Sequence, residues 1–330
     1  MPNYDQFLMV ASDYFSLLPL DLIKQINERL YQISPLDRRR FWESLGLPLV
    51  DLRVKFAKMA ETRVELVKSQ GYDSYVEVYL RKYKIPEQSY KSFVNEIDSV
   101  IGYCNENLPK RDNLPSWFYS EFNLPCFMCR MATFPFKSLG EVFGYVCKKH
   151  PEIRGYRDKI DIISHGSSWM TYEEGSGVFK VMINKNPNIR HKAIDLIHEL
   201  SHVVCYIRDF RRSIDPFKKG VYEREKAAFE VEIDLLKQIS DDLFRTRLVD
   251  ILLTIRKNLF EVGMYNNPDQ DLGKLYASTF NRCFHEAKQK DNPLYLINED
   301  ILVSPFKSLP HVVVYSEVIL REVDLDTMKS

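Results

Sequence analysis

One short segment constrains this chain more than any other: His198–His202 reads His-Glu-Leu-Ser-His inside a long apolar stretch. Because residues four apart share one face of a helix, both imidazoles can reach a single metal ion. The flanking residues predict that this helix is buried, since the stretch contains Ile194, Leu196, Ile197, Leu200, Val203, Val204 and Ile207.

The chemistry of these side chains favours zinc, which binds imidazole nitrogen and keeps a fourth position open for water when the protein supplies three ligands. Glu199 is displaced sideways on the helix, so its carboxylate can meet that water instead of the metal. The alternative is a pair of core histidines held by hydrogen bonds. The pattern favours one Zn²⁺ per chain, with His198 and His202 as ligands and Glu199 as general base.

A third ligand is expected from the next helical segment, Tyr222–Ile239. Its glutamates fall on two faces. Glu225 and Glu232 share the apolar face, whereas Glu223 and Glu230 share the face rich in lysine. A carboxylate on the apolar face is costly unless a cation or hydrogen bonds hold it, so we predict Glu225 as the third ligand. Glu232 is predicted to accept a hydrogen bond from a ligand histidine; alternatively, both are ordinary glutamates that reach solvent.

The rest of the chain predicts a mainly α (α+β) fold. Apolar spacings of three and four recur on both sides of a short region with β-branched and aromatic runs. Those runs, at Lys159–Ser164, Ser168–Glu173 and Val178–Asn184, predict a small sheet beside the metal helix. We expect a helical region at 1–150 and a catalytic region at 151–330, packed around a cleft. The predicted helices are Leu17–Ile33, Leu36–Trp42, Leu52–Ser69, Tyr72–Lys82, Glu87–Asn107, Ser138–Lys149, a helix from Ile189, Tyr222–Ile239, Asp241–Met264, Leu272–Lys288 and Pro310–Asp324.

Composition argues against several classes of function. The 330 residues are 45% hydrophobic and 28% charged, which is typical of a globular protein with a buried core. Lys plus Arg and Asp plus Glu are equal at 46 each, so net charge favours neither nucleic acid nor an anionic membrane. No apolar run is long enough to span a bilayer, and no basic leader begins the chain. The cysteines are scattered singly apart from Cys126 and Cys129, which form at most a weak zinc-knuckle signal. Scattered free cysteines favour a protein of the reducing cytoplasm.

Several further segments carry a resemblance. An edge strand that leads into a zinc helix is resembled by Val178–Asn184 followed by Asp195–His202. The segment Glu225–Glu232 looks like one in which a glutamate binds zinc and a second glutamate follows seven residues later. With weaker similarity at Phe56–Arg81, Leu259–Tyr265 and Leu309–Val318, these segments resemble the thimet oligopeptidase and oligoendopeptidase F family of zinc metallopeptidases, which are gluzincins.

The resemblance implies a helical zincin-like fold and a peptidase that acts on short or unstructured peptides, with Glu199 activating a zinc-bound water. It also implies that His311 or Tyr315 donates to the tetrahedral oxyanion, and that the substrate adds as a strand along Val178–Asn184. A structural role for the His–Tyr pair is the alternative.

The chain departs from the family pattern at the fourth motif position, which is Ser201 where the family usually has glycine. Ala227 and Ala228 replace the expected proline and serine, and the chain is shorter than typical members. Two other functions therefore stay open: a non-catalytic relative that keeps the metal site and binds a partner, and a selective regulatory zinc protease that acts on one protein. The sequence leaves the oligomeric state open.

Overall fold

The computed structural model describes residues 9–33, 35–108, 134–185, 189–285 and 289–327, and this part of the chain is mostly helical with one small sheet. The predicted fold class is therefore confirmed. Cys126, Cys129 and the predicted helix start at residues 186–188 lie outside the described residues. The α-helices are α1 Ser12–Leu17, α2 Leu20–Gln32, α3 Pro35–Ser44, α4 Leu49–Ser69, α5 Tyr75–Tyr83, α6 Glu87–Asn107, α7 Leu139–Lys149, α8 Ile189–Arg211, α9 Val221–Ile239, α10 Asp241–Asn266, α11 Leu272–Cys283, α12 Glu299–Val303 and α13 Leu309–Thr327.

Prolines account for part of the difference between predicted and observed helix bounds. The predicted helix Leu17–Ile33 corresponds to α2, which starts three residues later because Pro19 stands at its N-cap, whereas Leu17 ends α1. Pro48 has the same position before α4, which starts three residues earlier than predicted. Proline fixes its own φ and disfavours helical geometry in the residue before it, so it separates helices without needing a side-chain cap. None of the described helices is long and apolar enough to cross a membrane.

The described residues group into two compact units. The first unit consists of the described residues within Met1–Gln88, Cys104–Leu124 and Ile251–Val312. The second unit consists of those within Ser89–Tyr103, Pro125–Asp250 and Val313–Ser330. The second unit contains the sheet together with α8 and α9, the helices that carry the predicted metal ligands. The division into residues 1–150 and 151–330 stays a prediction.

Among the described residues, the sheet has three strands, β1 Ile160–His165, β2 Trp169–Glu173 and β3 Val178–Asn184, each within one residue of its predicted bounds. Their order is β1-β3-β2, with β1 parallel and β2 antiparallel to β3. The prediction that the substrate adds along Val178–Asn184 is wrong, because neighbouring strands already pair with both edges of β3. Within the part of the chain that the structure describes, the outer edges of β1 and β2 pair with no further strand.

The sheet supports α8 through one face of β3, where alternate residues are buried. The ring of Phe179 on β3 packs edge to face against Tyr206, with centroids 6.4 Å apart. Tyr172 on β2 contacts Phe210, one turn further along α8, at 5.2 Å. These rings fix the helix against the sheet and so place the metal motif, on the preceding turns of the helix, beside the strands.

The other unit contains a fully buried carboxylate on α10. Glu261 has 0% exposure, and its Oε1 accepts a hydrogen bond from the backbone N–H of Phe306 at 2.8 Å. Phe306 has a φ of 54°, in the left-handed region that a residue with a side chain seldom adopts. Burial raises the pKa of Glu261 from 4.5 to about 7, and nearby Lys257 only partly opposes this. The carboxyl group therefore binds its proton more tightly in the folded than in the unfolded chain.

This raised pKa predicts that stability falls as the pH rises. Between about 4.5 and 7 the folded chain holds a proton on Glu261 that the unfolded chain releases, so the free energy of unfolding should decrease by about 1.4 kcal/mol per pH unit from this group. Glu261→Gln should flatten that slope, because the amide stays neutral and can still accept from Phe306. Denaturant titrations across this range test the prediction, and exposed Glu65→Gln is the control that should keep the wild-type slope. An unchanged slope in Glu261→Gln would contradict it.

Candidate metal centre

The two imidazoles of the motif face one point beside α9. The rings of His198 and His202 lie 4.9 Å apart at an interplanar angle of 85°. Glu225 reaches the same point from α9, and its Oε2 is 3.6 Å from Nε2 of His198 and 3.4 Å from Nε2 of His202. The three predicted ligands are thus brought together, with their donor atoms all within 4.8 Å of one another.

The spacing of these donors fits zinc. Ligands at about 2.1 Å from a tetrahedral zinc lie roughly 3.4 Å from one another, and the two measured nitrogen–oxygen distances are 3.4 and 3.6 Å. Two imidazoles and one carboxylate form a donor set that zinc uses when one position stays open. The side chains of His198, His202 and Glu225 keep 14%, 11% and 15% of their area exposed, so none of the three is sealed from solvent.

The start of α9 is fixed in a way that brings Glu225 towards α8. Lys219, just before the helix, donates to both carboxylate oxygens of Asp209 on α8, at 2.7 and 2.6 Å. Glu223, which the sequence places on the polar face, accepts from the backbone N–H of Gly220 at 3.1 Å and so satisfies an orphan donor at the helix start. The ion pair and the cap together fix the first turn of α9, one turn before Glu225.

Glu232 has the position predicted for it behind a ligand. It has 0% exposure, and its Oε2 lies 2.8 Å from Nδ1 of His198. A carboxylate can only accept, so Nδ1 carries the proton and donates. In the neutral imidazole the lone pair is then on Nε2, the atom that faces Glu225. The hydrogen bond therefore orients the ring and selects the tautomer whose Nε2 lone pair could accept a metal ion.

The charges around His198 are strongly coupled. Burial alone would lower the pKa of His198, but the Glu232 carboxylate outweighs it and raises the pKa to about 9. Burial would likewise raise the pKa of Glu232, yet Arg247 and His198 hold it below its usual value. Glu232 is therefore a buried anion stabilised by cationic neighbours, as a carboxylate in a low-dielectric interior must be.

The side chain predicted as the base, Glu199, is 5% exposed on the turn of α8 between the two histidines. Burial raises its pKa, and the charges of His198 and His202 oppose the rise. Ser201, where the resembling family usually has glycine, is fully buried and donates its hydroxyl to the carbonyl of Ile197 at 2.7 Å. That bond within the helix satisfies the hydroxyl, so serine fits at the position without another partner.

The structure places Tyr315 beside Arg247 and Phe229. Its hydroxyl accepts from Nη2 of Arg247 at 3.1 Å, and its ring lies 4.4 Å from that of Phe229 on α9. His311 is half-buried one turn earlier on α13 and belongs to the other compact unit. A catalytic role for either residue stays a prediction.

The sequence reasoning overlooked Arg247 on α10. Its Nε lies 2.8 Å from Oε1 of Glu232, and the arginine side chain is only 12% exposed. A signal was available, because residue 247 lies on the same helical stripe as Leu243, Phe244 and Ile251, all of them buried. A cation on such a stripe indicates a buried anionic partner.

No family model and no curated protein matches the sequence. Two solved structures are similar in fold. One, described as "PZ peptidase A with inhibitor 2", has a TM-score of 0.54 at 12% identity and covers 96% of this chain and 64% of its own. The other, a putative oligoendopeptidase F, has a TM-score of 0.52 at 12% identity and covers 94% of this chain and 64% of its own. The chain thus spans 64% of the length of each. The resemblance stated from the sequence is confirmed at the level of the fold.

Proposed function

We propose that this chain is a zinc-dependent peptidase that hydrolyses peptide bonds in short or unstructured peptides. The observation that carries the proposal is the constellation of His198, His202 and Glu225 at zinc spacing, with Glu199 on the turn between the histidines. The likeness in fold to two solved peptidases supports it. We further propose that it acts in the cytoplasm with one Zn²⁺ per chain.

The side chains divide the work between binding and proton transfer. His198, His202 and Glu225 would hold the zinc, which would supply a Lewis acid and lower the pKa of an attached water. Glu199 is proposed to take a proton from the attacking water and return it to the leaving amine. Its buried position keeps bulk water from competing for that proton. Glu232 holds the ring of His198 in the tautomer that leaves Nε2 free for the metal.

For the substrate, the open edge of β2 is the better candidate than that of β1. Ser168, just before β2, donates to Asp195 at 2.6 Å, and Asp195 lies one turn before Glu199 on α8. At the other end of β2, Tyr172 contacts Phe217, which shortly precedes α9. These two contacts connect β2 to the metal helix α8 and to the chain just before α9, and they favour the β2 edge as the substrate site. An extended peptide that adds there gains backbone hydrogen bonds without demanding a sequence, which suits an unstructured chain.

The oxyanion formed by attack on the peptide carbonyl needs a hydrogen-bond donor as well as the metal. The resemblance assigns this donor role to His311 or Tyr315. The hydroxyl of Tyr315 accepts from Nη2 of Arg247 at 3.1 Å, and a tyrosine hydroxyl can donate as well as accept. We retain both residues as proposed donors.

The test combines metal content with peptide cleavage. Purified chain stripped of metal and reloaded with zinc should hold one zinc, measured by elemental analysis. It should cleave internally quenched unstructured peptides and leave a folded globular protein intact. A chelator should abolish cleavage, and added zinc should restore it. Well-folded protein that takes up no zinc would overturn the metal site. Zinc uptake without cleavage of any peptide would favour a binding protein or a selective protease.

A further inference from the structure

Arg247 joins the metal centre to two more helices. On α10, its Nε lies 2.8 Å from Oε1 of Glu232, and its Nη2 donates to Oε2 of the same carboxylate at 3.2 Å. The same Nη2 donates to the hydroxyl of Tyr315 on α13 at 3.1 Å. Because Oε2 of Glu232 is also the acceptor for His198, a continuous polar chain runs from Tyr315 through Arg247 and Glu232 to the first metal ligand.

The two contacts on Glu232 do more than balance its charge. The terminal torsion of a glutamate is broad, so one hydrogen bond leaves the plane of the carboxylate poorly defined. Here the rigid planar guanidinium meets both oxygens: Nη2 donates to Oε2, and Nε lies against Oε1 as a close ion-pair contact without a hydrogen bond, so the plane is restricted. Since His198 bonds to one of these oxygens, the plane of the carboxylate sets the direction in which Nε2 points.

Arg247 is itself held in place from several directions. Its guanidinium lies 5.3 Å from the ring centre of Tyr315 and 5.8 Å from that of Phe229. Asp250, one turn along α10, lies 3.9 Å from Nη1. A lysine at this position could supply the charge, but as a single point it could not contact both oxygens of Glu232 and the tyrosine hydroxyl in one plane.

We infer that Arg247 is a positioning residue of the metal centre, which fixes the Glu232 carboxylate and through it the ring of His198. The inference rests on the proposed function, because it takes this centre to bind zinc. It assigns Arg247 no contact with substrate or with the metal. Its effect should be seen in how tightly the folded protein binds zinc and in the state of the His198 ring.

The test uses three variants and a matched control. Arg247→Met removes the guanidinium but keeps most of the stem, Arg247→Lys keeps the charge, and Arg247→Met is also made in a Glu232→Gln background. Arg256→Met is the control, because Arg256 is a buried arginine on the same helix whose guanidinium lies 3.5 Å from the ring centre of Tyr276 in the other unit. Zinc affinity is measured on folded protein by competition with a chromophoric chelator, and the unfolding midpoint is measured in chelator.

We expect Arg247→Met to weaken zinc binding by about tenfold, the lower end of the effect of residues behind metal ligands. Arg247→Lys should lose less, and Arg256→Met should lose stability but keep wild-type affinity. In the Glu232→Gln background, Arg247→Met should change affinity by less than about twofold, because the residue through which it acts is already altered. If the single methionine variant does not fold, the lysine and double variants decide, since removing both buried charges costs less than removing one.

Three results would overturn the inference: zinc affinity of Arg247→Met or Arg247→Lys equal to wild type, an equal loss in Arg256→Met, or a full loss that persists in the Glu232→Gln background. Nitrogen-15 NMR of the His198 ring without zinc separates this inference from the proposed function. Wild type that binds no zinc but shows a slowly exchanging Nδ1–H on His198, hydrogen-bonded to Glu232 and lost in Arg247→Met, would refute the peptidase proposal and support the positioning role. An unchanged His198 ring in Arg247→Met would refute the positioning role itself.

Discussion

Replacing Glu199 with glutamine is expected to abolish peptide hydrolysis while the chain still takes up one zinc. Glutamine has nearly the same shape but cannot accept a proton, so the attacking water loses its base. General-base catalysis contributes about 10²–10⁴-fold to rate, and we expect kcat/KM to fall by that amount. Glu199 is not among the three residues whose donor atoms meet at the proposed zinc position, so metal content should be unaffected. Cleavage of quenched peptides and elemental analysis on the same preparations measure both effects.

The control for this variant is Glu106→Gln, the same chemical change at an exposed position on α6. It should retain both wild-type activity and zinc. Peptide cleavage by Glu199→Gln at the wild-type rate would eliminate Glu199 as the base. Loss of zinc together with activity would mean that Glu199 supports the metal site instead of the proton transfer.

Replacing Glu225 with glutamine is expected to remove zinc, and with it activity. The carboxylate is one of three donors, and its Oε2 lies within 3.6 Å of both histidine nitrogens. A neutral amide is a much poorer zinc ligand than a carboxylate, and two histidines alone form a weak site. The loss of affinity should exceed the roughly 10–100-fold typical of residues behind the ligands. Chelator competition on the folded variant measures it.

Glu230→Gln is the matched control, on the same helix but on its other face. Glu230 is 42% exposed and pairs with Arg321 at 2.6 Å, an ion pair whose loss should have little effect on stability. We expect this variant to bind zinc as the wild type does. Equal zinc affinity in Glu225→Gln and wild type would refute Glu225 as a ligand.

The amino-acid sequence by itself determined the local elements of the centre. Helical spacing placed His198 and His202 on one face, and the apolar stripe of α9 separated Glu225 and Glu232 from Glu223 and Glu230. The strand bounds were also predicted to within one residue. These features are local, because they follow from side-chain period and burial within one helix or strand.

Only the tertiary structure decided which elements lie side by side. A strand's residues do not state whether its edges are paired, so the sequence could not show that β3 lies between β1 and β2 and is closed to substrate. Nor could it show that Arg247 from α10 contacts Glu232 and that Tyr315 from α13 contacts Arg247, because these contacts join residues 15 and 68 positions apart. A period of 3.6 residues shows that a polar side chain is buried, and only the packing of helices shows which partner compensates its charge.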